Sequence, residues 1–142
     1  MRFLLDTNVL AEGAKPDPDP HVIGWLRAQA SLDLAISVLT LGEIRKGVAL
    51  LPQGKRRATL ERWLVTDLPR QFLDRVLGID DAVALEWGRT AVIGRQRGRE
   101  LSVIGGLLLA TAAVHGLTLV TRNERDCAGR GVPLHNPWGG GA

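Results

Sequence analysis

Tyrosine is absent from this 142-residue chain, phenylalanine occurs twice and cysteine once. Strands favour aromatic residues, so their scarcity argues against a β-rich domain. A single cysteine, Cys127, excludes an internal disulfide and fits a reducing cytoplasm, although a cysteine-poor secreted chain would look the same. No apolar run is long enough to span a membrane; the longest, residues 107–114, is far too short. Asp6 interrupts the opening apolar run too early for a signal peptide. Gly105-Gly106 lacks the context of a phosphate loop, and no nucleophile stands beside a base. His21, His115 and His135 are not at metal-ligand spacing. Repeats and low-complexity linkers are missing as well, so residues 1–142 read as one domain. Gly139 to Gly141 reads as a frayed tail.

What is present is an ordinary globular balance, 45% hydrophobic and 23% charged, with a net charge of +3. That excess is modest and compatible with a nucleic-acid partner. Arginines at 95, 97 and 99 concentrate it, although cations at a helix end also suit the helix dipole.

Short apolar strands alternate with helices. Residues 2–5 read as a first strand, with Thr7 and Asn8 as turn formers after it. Residues 15–20 alternate proline with acid and form a rigid loop. A helix is expected over 21–30, with Val22, Trp25, Leu26 and Gln29 on its spacing. Residues 34–38 read as a second strand, followed by helices over 40–51 and 55–67. Residues 75–79 form a short strand. Asp80 caps a helix ending near Gly98, with Val83, Trp87, Val92 and, in part, Leu85 as its apolar positions. Ser102 opens a helix through His115, which Gly116 closes. Residues 118–121, and then 132–134, supply the last strands. This alternation implies an α/β fold with a parallel sheet covered on both faces.

In such a sheet, strand C-termini and the following helix N-termini share one rim, where ligands bind. Asp6 ends the first strand, Glu43 falls in the first turn after the second, and Asp126 follows the strand ending at Thr121. Carboxylates gathered there repel one another unless a hard cation such as Mg²⁺ or Mn²⁺ neutralises them. Each acid also has a structural alternative. Thr40-Leu41-Gly42-Glu43 matches a capping box, Asp6 suits an Asx-turn, and Asp126 suits a helix cap.

The ordered stretches Phe3-Leu4-Leu5-Asp6-Thr7-Asn8-Val9-Leu10, Ile36-Ser37-Val38-Leu39-Thr40-Leu41-Gly42-Glu43-Ile44, Val103-Ile104-Gly105-Gly106-Leu107-Leu108, Thr118-Leu119-Val120-Thr121-Arg122-Asn123-Glu124-Arg125-Asp126 and Asn136-Pro137-Trp138 resemble PIN-domain proteins. More closely, they resemble the VapC-type, FitB-like toxins of toxin–antitoxin pairs. The resemblance implies a three-layer α/β sandwich with a five-stranded parallel sheet. It also implies Mg²⁺-dependent endoribonuclease activity, a homodimer and neutralisation by an antitoxin.

By this resemblance Asp6 and Asp126 are metal ligands and Glu43 is the second acid. Asn123 competes with Asp126 for the late position. Thr7, Asn8 and Thr121 line the site, and Arg45, Arg95, Arg97, Arg99 and Arg122 are available to RNA phosphates. The departure is Gly105, where the family pattern Val-Ile-Asp supplies a metal ligand. Its loss predicts weakened metal binding and impaired cleavage. Two histories lead there: selection of a one-base change that silences a lethal toxin, or natural decay to a binding module for antitoxin or RNA. Two adjacent glycines in a first helical turn also lower helix propensity, with no structural gain legible in the sequence. Cys127 stands where the family commonly has phenylalanine, which predicts looser packing nearby.

Overall fold

The computed structural model describes residues 1–139; Gly140 and Gly141 of the expected tail lie outside the described residues. Five strands form one wholly parallel sheet: β1 (Phe3–Leu5), β2 (Leu34–Ser37), β3 (Val76–Leu77), β4 (Thr118–Val120) and β5 (Leu134–His135). Their spatial order is β3-β2-β1-β4-β5. The chain steps outward from β1 in one direction, then returns to β1's other side. That reversal makes the C-terminal end of the β1–β4 pair a topological switch point, where open α/β sheets form their binding crevice.

Among the described residues, eight α-helices connect the strands: α1 (Thr7–Gly13), α2 (Pro20–Ala28), α3 (Val38–Ala49), α4 (Lys55–Arg62), α5 (Leu68–Gln71), α6 (Asp81–Gln96), α7 (Val103–His115) and α8 (Glu124–Cys127). Strand side chains alternate between two cores, as the period of two requires. Leu5, Leu34, Ile36 and Val120 join Val9, Val22, Ile44, Leu68 and Phe72 beneath α1 to α5. Leu4, Ala35 and Leu119 point the other way, onto Leu108, Leu109, Ala112 and Cys127 of α7 and α8. The result is the expected three-layer sandwich. Among the described residues no helix is long and apolar enough to cross a membrane.

Several local expectations change. Thr7 and Asn8 belong to the first turn of α1, because Asp6 caps that helix through Thr7 N–H at 2.7 Å. Helix α3 starts two residues earlier than its spacing suggested, since Ser37 Oγ accepts from Leu39 N–H at 3.0 Å. The Thr40–Glu43 capping box therefore does not form, and Glu43 sits in the second turn. Asp126 is not a cap either; Asn123 takes that place before α8. The rod over 55–71 widens into a π-helical stretch at Trp63–Asp67, just before Pro69, which has no N–H to donate.

On α6, Val83 is fully buried, while Leu85 and Val92 are 75% and 55% exposed. At 3.6 residues per turn they fall on the side opposite Val83, Trp87 and Gly94. Cys127 is buried in the second core. Glu12 anchors the proline loop: its carboxylate accepts from Asp19 N–H and Lys15 Nζ, each at 2.9 Å, and these bonds hold its pKa down.

Candidate active site

Asp6 is fixed at both oxygens. Oδ1 caps α1, and Oδ2 accepts from the Thr121 hydroxyl at 2.7 Å. Thr121 is fully buried and itself accepts from Asn123 N–H at 3.0 Å. One threonine at the end of β4 thus ties the end of β1 to the turn that carries α8. The register demands this closeness: Leu5 pairs with Val120, and Asp6 N–H donates to Val120 O at 2.9 Å.

Glu43 is oriented from behind. Thr7 Oγ1 lies 2.5 Å from Glu43 Oε1 and 3.1 Å from Thr40 Oγ1. A hydroxyl has one proton to give. The shorter contact, to a carboxylate, takes it, so the fully buried Thr40 donates to Thr7 in turn. The chain Thr40→Thr7→Glu43 links the first turns of α1 and α3 to the acid.

Asp6, Glu43, Gly105, Asn123 and Asp126 all line one cavity of about 380 Å³ at the C-terminal rim of the sheet. Thr7 and Thr121 stand behind its walls, bonded to two of the acids. Asn8 follows Thr7 in α1, and its Oδ1 is buried without a described hydrogen-bond partner. Glu100 also lines the cavity and was missed in the sequence. Its signal was an acid two residues before the Ser102 cap, on the same rim. Cys127 is a further wall. Burial pushes its thiol pKa up, and the charges of Asp6 and Asp126 add to this against Arg130.

The two adjacent glycines differ. A Cβ at Gly106 would stand 3.0 Å from both Cδ1 and Nε1 of Trp87, so this glycine admits the indole against α7. That is the structural gain the sequence did not reveal. A Cβ at Gly105 would meet only the Ser102 hydroxyl at 3.0 Å and Leu101 Cβ at 3.9 Å. Ser102 Oγ caps Gly105 N–H, the position where capping boxes carry a full side chain. An aspartate is therefore admissible at 105 with a small shift of one hydroxyl. Among the described residues, no three His, Cys, Asp or Glu side chains stand close enough together to hold a metal ion.

The arginines fall into separate settings. Arg45 is exposed on α3. Arg122 lies over the Trp138 ring at 5.0 Å. Arg95 faces Glu100 at 3.9 Å, and Arg97 is the exposed C-cap of α6. Arg99 donates to the carbonyls of Arg125 and Ala128. The histidines are scattered: His21 sits beside Asp19, His115 ends α7, and His135 packs against Trp25.

A parallel sheet in this order, with acids gathered at its switch point, defines a class of domain. The PIN domain family matches residues 3–128, and the chain belongs to that family. It is 35% identical to toxin FitB of Neisseria gonorrhoeae over 136 residues, 96% of this chain and 98% of that protein. It is 32% identical to VapC ribonuclease Y4jK of Sinorhizobium fredii over 136 residues, 96% and 97% of the two chains. The crystal structure of FitAcB from Neisseria gonorrhoeae superposes with a TM-score of 0.91 at 34% identity, covering 96% of this chain and 99% of that one.

Proposed function

We propose that this chain carries the site of a Mg²⁺-dependent endoribonuclease toxin, impaired by Gly105. The observation that supports this best is the convergence of Asp6, Glu43, Asn123, Asp126 and Gly105 on one cavity. A relative called a VapC ribonuclease and another called a toxin, both matched over nearly their whole length, support the same activity.

The donor set is hard oxygen, which suits Mg²⁺ or Mn²⁺, and Mg²⁺ commonly binds through one or two carboxylates and several waters. Asp6 and Asp126 would hold the ion, weakly, because among the described residues no third carboxylate stands close enough to complete the set. A bound divalent cation lowers the pKa of a water and neutralises charge on a phosphoryl oxygen. Thr121 and the Thr7 N–H hold Asp6 in one orientation, so little ordering remains on binding. Glu43, held by Thr7, orients the attacking water and accepts its proton. RNA is the substrate, and the site works in the cytoplasm. An antitoxin segment offering Arg or Lys is the natural occupant of so acidic a cavity, and a homodimer is the expected assembly.

A second reading has one observation in its favour. The lack, among the described residues, of three acids close enough to hold a metal suits a non-catalytic module that binds antitoxin or RNA. The two part in the Gly105→Asp background. There the nuclease reading expects Mg²⁺-dependent cleavage that Asp6→Asn abolishes, with the fold intact by circular dichroism. Cleavage indifferent to Asp6 contradicts it.

A further inference from the structure

Beside the acidic cavity, Arg89, Arg97, Arg99 and Arg130 line a pocket of about 180 Å³ that has no acidic residue in its wall. Arg89 is committed to Glu86. Arg99 and Arg130 are oriented differently. Arg99 Nη2 donates to Arg125 O at 3.3 Å and Ala128 O at 3.0 Å. Arg130 Nε donates to Asp126 O at 2.9 Å, and its Nη2 to Arg99 O at 2.6 Å. All these acceptors are neutral carbonyls, so the guanidiniums are held in place without a direct ion pair among the described residues.

The Nη1 atoms of Arg99 and Arg130 make no described hydrogen bond, nor does the side chain of Arg97. Two glycines permit this approach. A Cβ at Gly94 would lie 3.1 Å from Arg99 O and 3.2 Å from Arg130 Nη1, and a Cβ at Gly129 would lie 3.5 Å from Arg99 Nη1. Gly129 also has φ +74, which disfavours a side chain.

This pocket is connected to the acids. A second cleft shares Arg99 and Arg130 with it, and shares Glu100, Leu101 and Asp126 with the acidic cavity. Through these shared walls the three clefts adjoin in order, from Asp126 to Arg97. Resting on the ribonuclease reading, we infer that the Arg97–Arg99–Arg130 pocket holds a phosphate of the RNA strand flanking the phosphodiester at the acids. Guanidinium forks match phosphate oxygens, and donors fixed before binding lose little entropy on contact. The pocket thus sets where along a strand the acids act.

Binding to a mixed-sequence single-stranded RNA of about 20 nucleotides, followed by fluorescence anisotropy over a salt series, tests this on the unaltered chain. Arg97→Gln is the primary variant, because its side chain braces nothing described. Arg62→Gln, an exposed arginine on α4 outside all these clefts, is the control. The expected result is severalfold weaker RNA binding for Arg97→Gln alone, with the log–log salt slope reduced by about 0.7, the loss of one single-strand phosphate contact. Equal effects of the two variants, or none, overturn the inference. So does polyglutamate binding with equal affinity and the same dependence on Arg97, which makes the pocket a site for acidic protein. Inorganic phosphate titrated by ³¹P NMR separates a free-anion site. Phosphate binding that needs Arg97 while RNA binding does not also overturns it. A chain that binds no RNA at all fails the ribonuclease reading itself. RNA binding indifferent to Arg97 fails only this inference.

Discussion

The Thr7 hydroxyl lies 2.5 Å from a carboxylate oxygen of Glu43, joining the first residue of α1 to the second turn of α3. The two residues are separated by 36 positions in sequence, and neither belongs to the sheet. Their contact means that Glu43 is oriented by the fold before any ligand arrives. Thr7→Val removes the donor at nearly constant volume and strands the buried Thr40 hydroxyl. A stability loss of about 1–3 kcal/mol is expected in urea denaturation. In a Gly105→Asp background, cleavage should fall on the order of 10- to 100-fold, as for a misplaced catalytic group. Thr7→Ser should restore both. Equal activity of the valine and serine variants would remove Thr7 from the site's support.

The paired glycines should answer alanine with opposite signs. Gly105→Ala gains helix propensity, up to about 1 kcal/mol, and asks only the Ser102 hydroxyl to move. Gly106→Ala gains the same propensity but drives a methyl against the Trp87 indole. Overpacking of this kind costs about 1–3 kcal/mol. Thermal or urea unfolding of the two variants checks this, with Gly105→Ala neutral or stabilising and Gly106→Ala destabilising.

Cys127 reports the charge of the cavity. Burial, Asp6 and Asp126 all raise its thiol pKa, so at neutral pH the thiol stays protonated and slow to react. With EDTA present, its rate of modification by a disulfide reagent should rise with pH through an inflection above the ordinary cysteine value. Asp6→Asn deletes a negative charge, which lowers the thiol pKa and moves the inflection to lower pH. A shift to higher pH would contradict the proximity of the two groups.

Much of the fold was legible because periodicity and caps agreed. Ser102 and Asp80 open their helices where the sequence placed them, and Gly116, at φ +66, closes α7. The chain's alternation of strand and helix was enough to bring Asp6, Glu43, Gly105 and Asp126 to one rim. What sequence could not supply was competition between caps. Ser37 displaced Thr40 as the start of α3, which freed Glu43 from a capping role and left its carboxylate to Thr7. Nor could it separate Gly105 from Gly106, since only the packing of Trp87 distinguishes them. Leu85 and Val92 misled because α6 buries a narrow stripe against α7, and apolar residues off that stripe stay exposed. The arginines were legible as charge but not as geometry: Arg99 turns onto backbone carbonyls that lie close only in the folded chain.

The cavity is proposed as a metal-dependent ribonuclease site that lacks one carboxylate, at Gly105. The most direct test is RNA cleavage by this chain beside its Gly105→Asp variant, each with Mg²⁺ and with EDTA. Weak or no cleavage is expected from the chain as it stands, and Mg²⁺-dependent, EDTA-sensitive cleavage from the variant. Robust EDTA-sensitive cleavage by the unaltered chain would contradict the role given to Gly105. A folded variant that cleaves nothing in a broad RNA panel would contradict the catalytic reading.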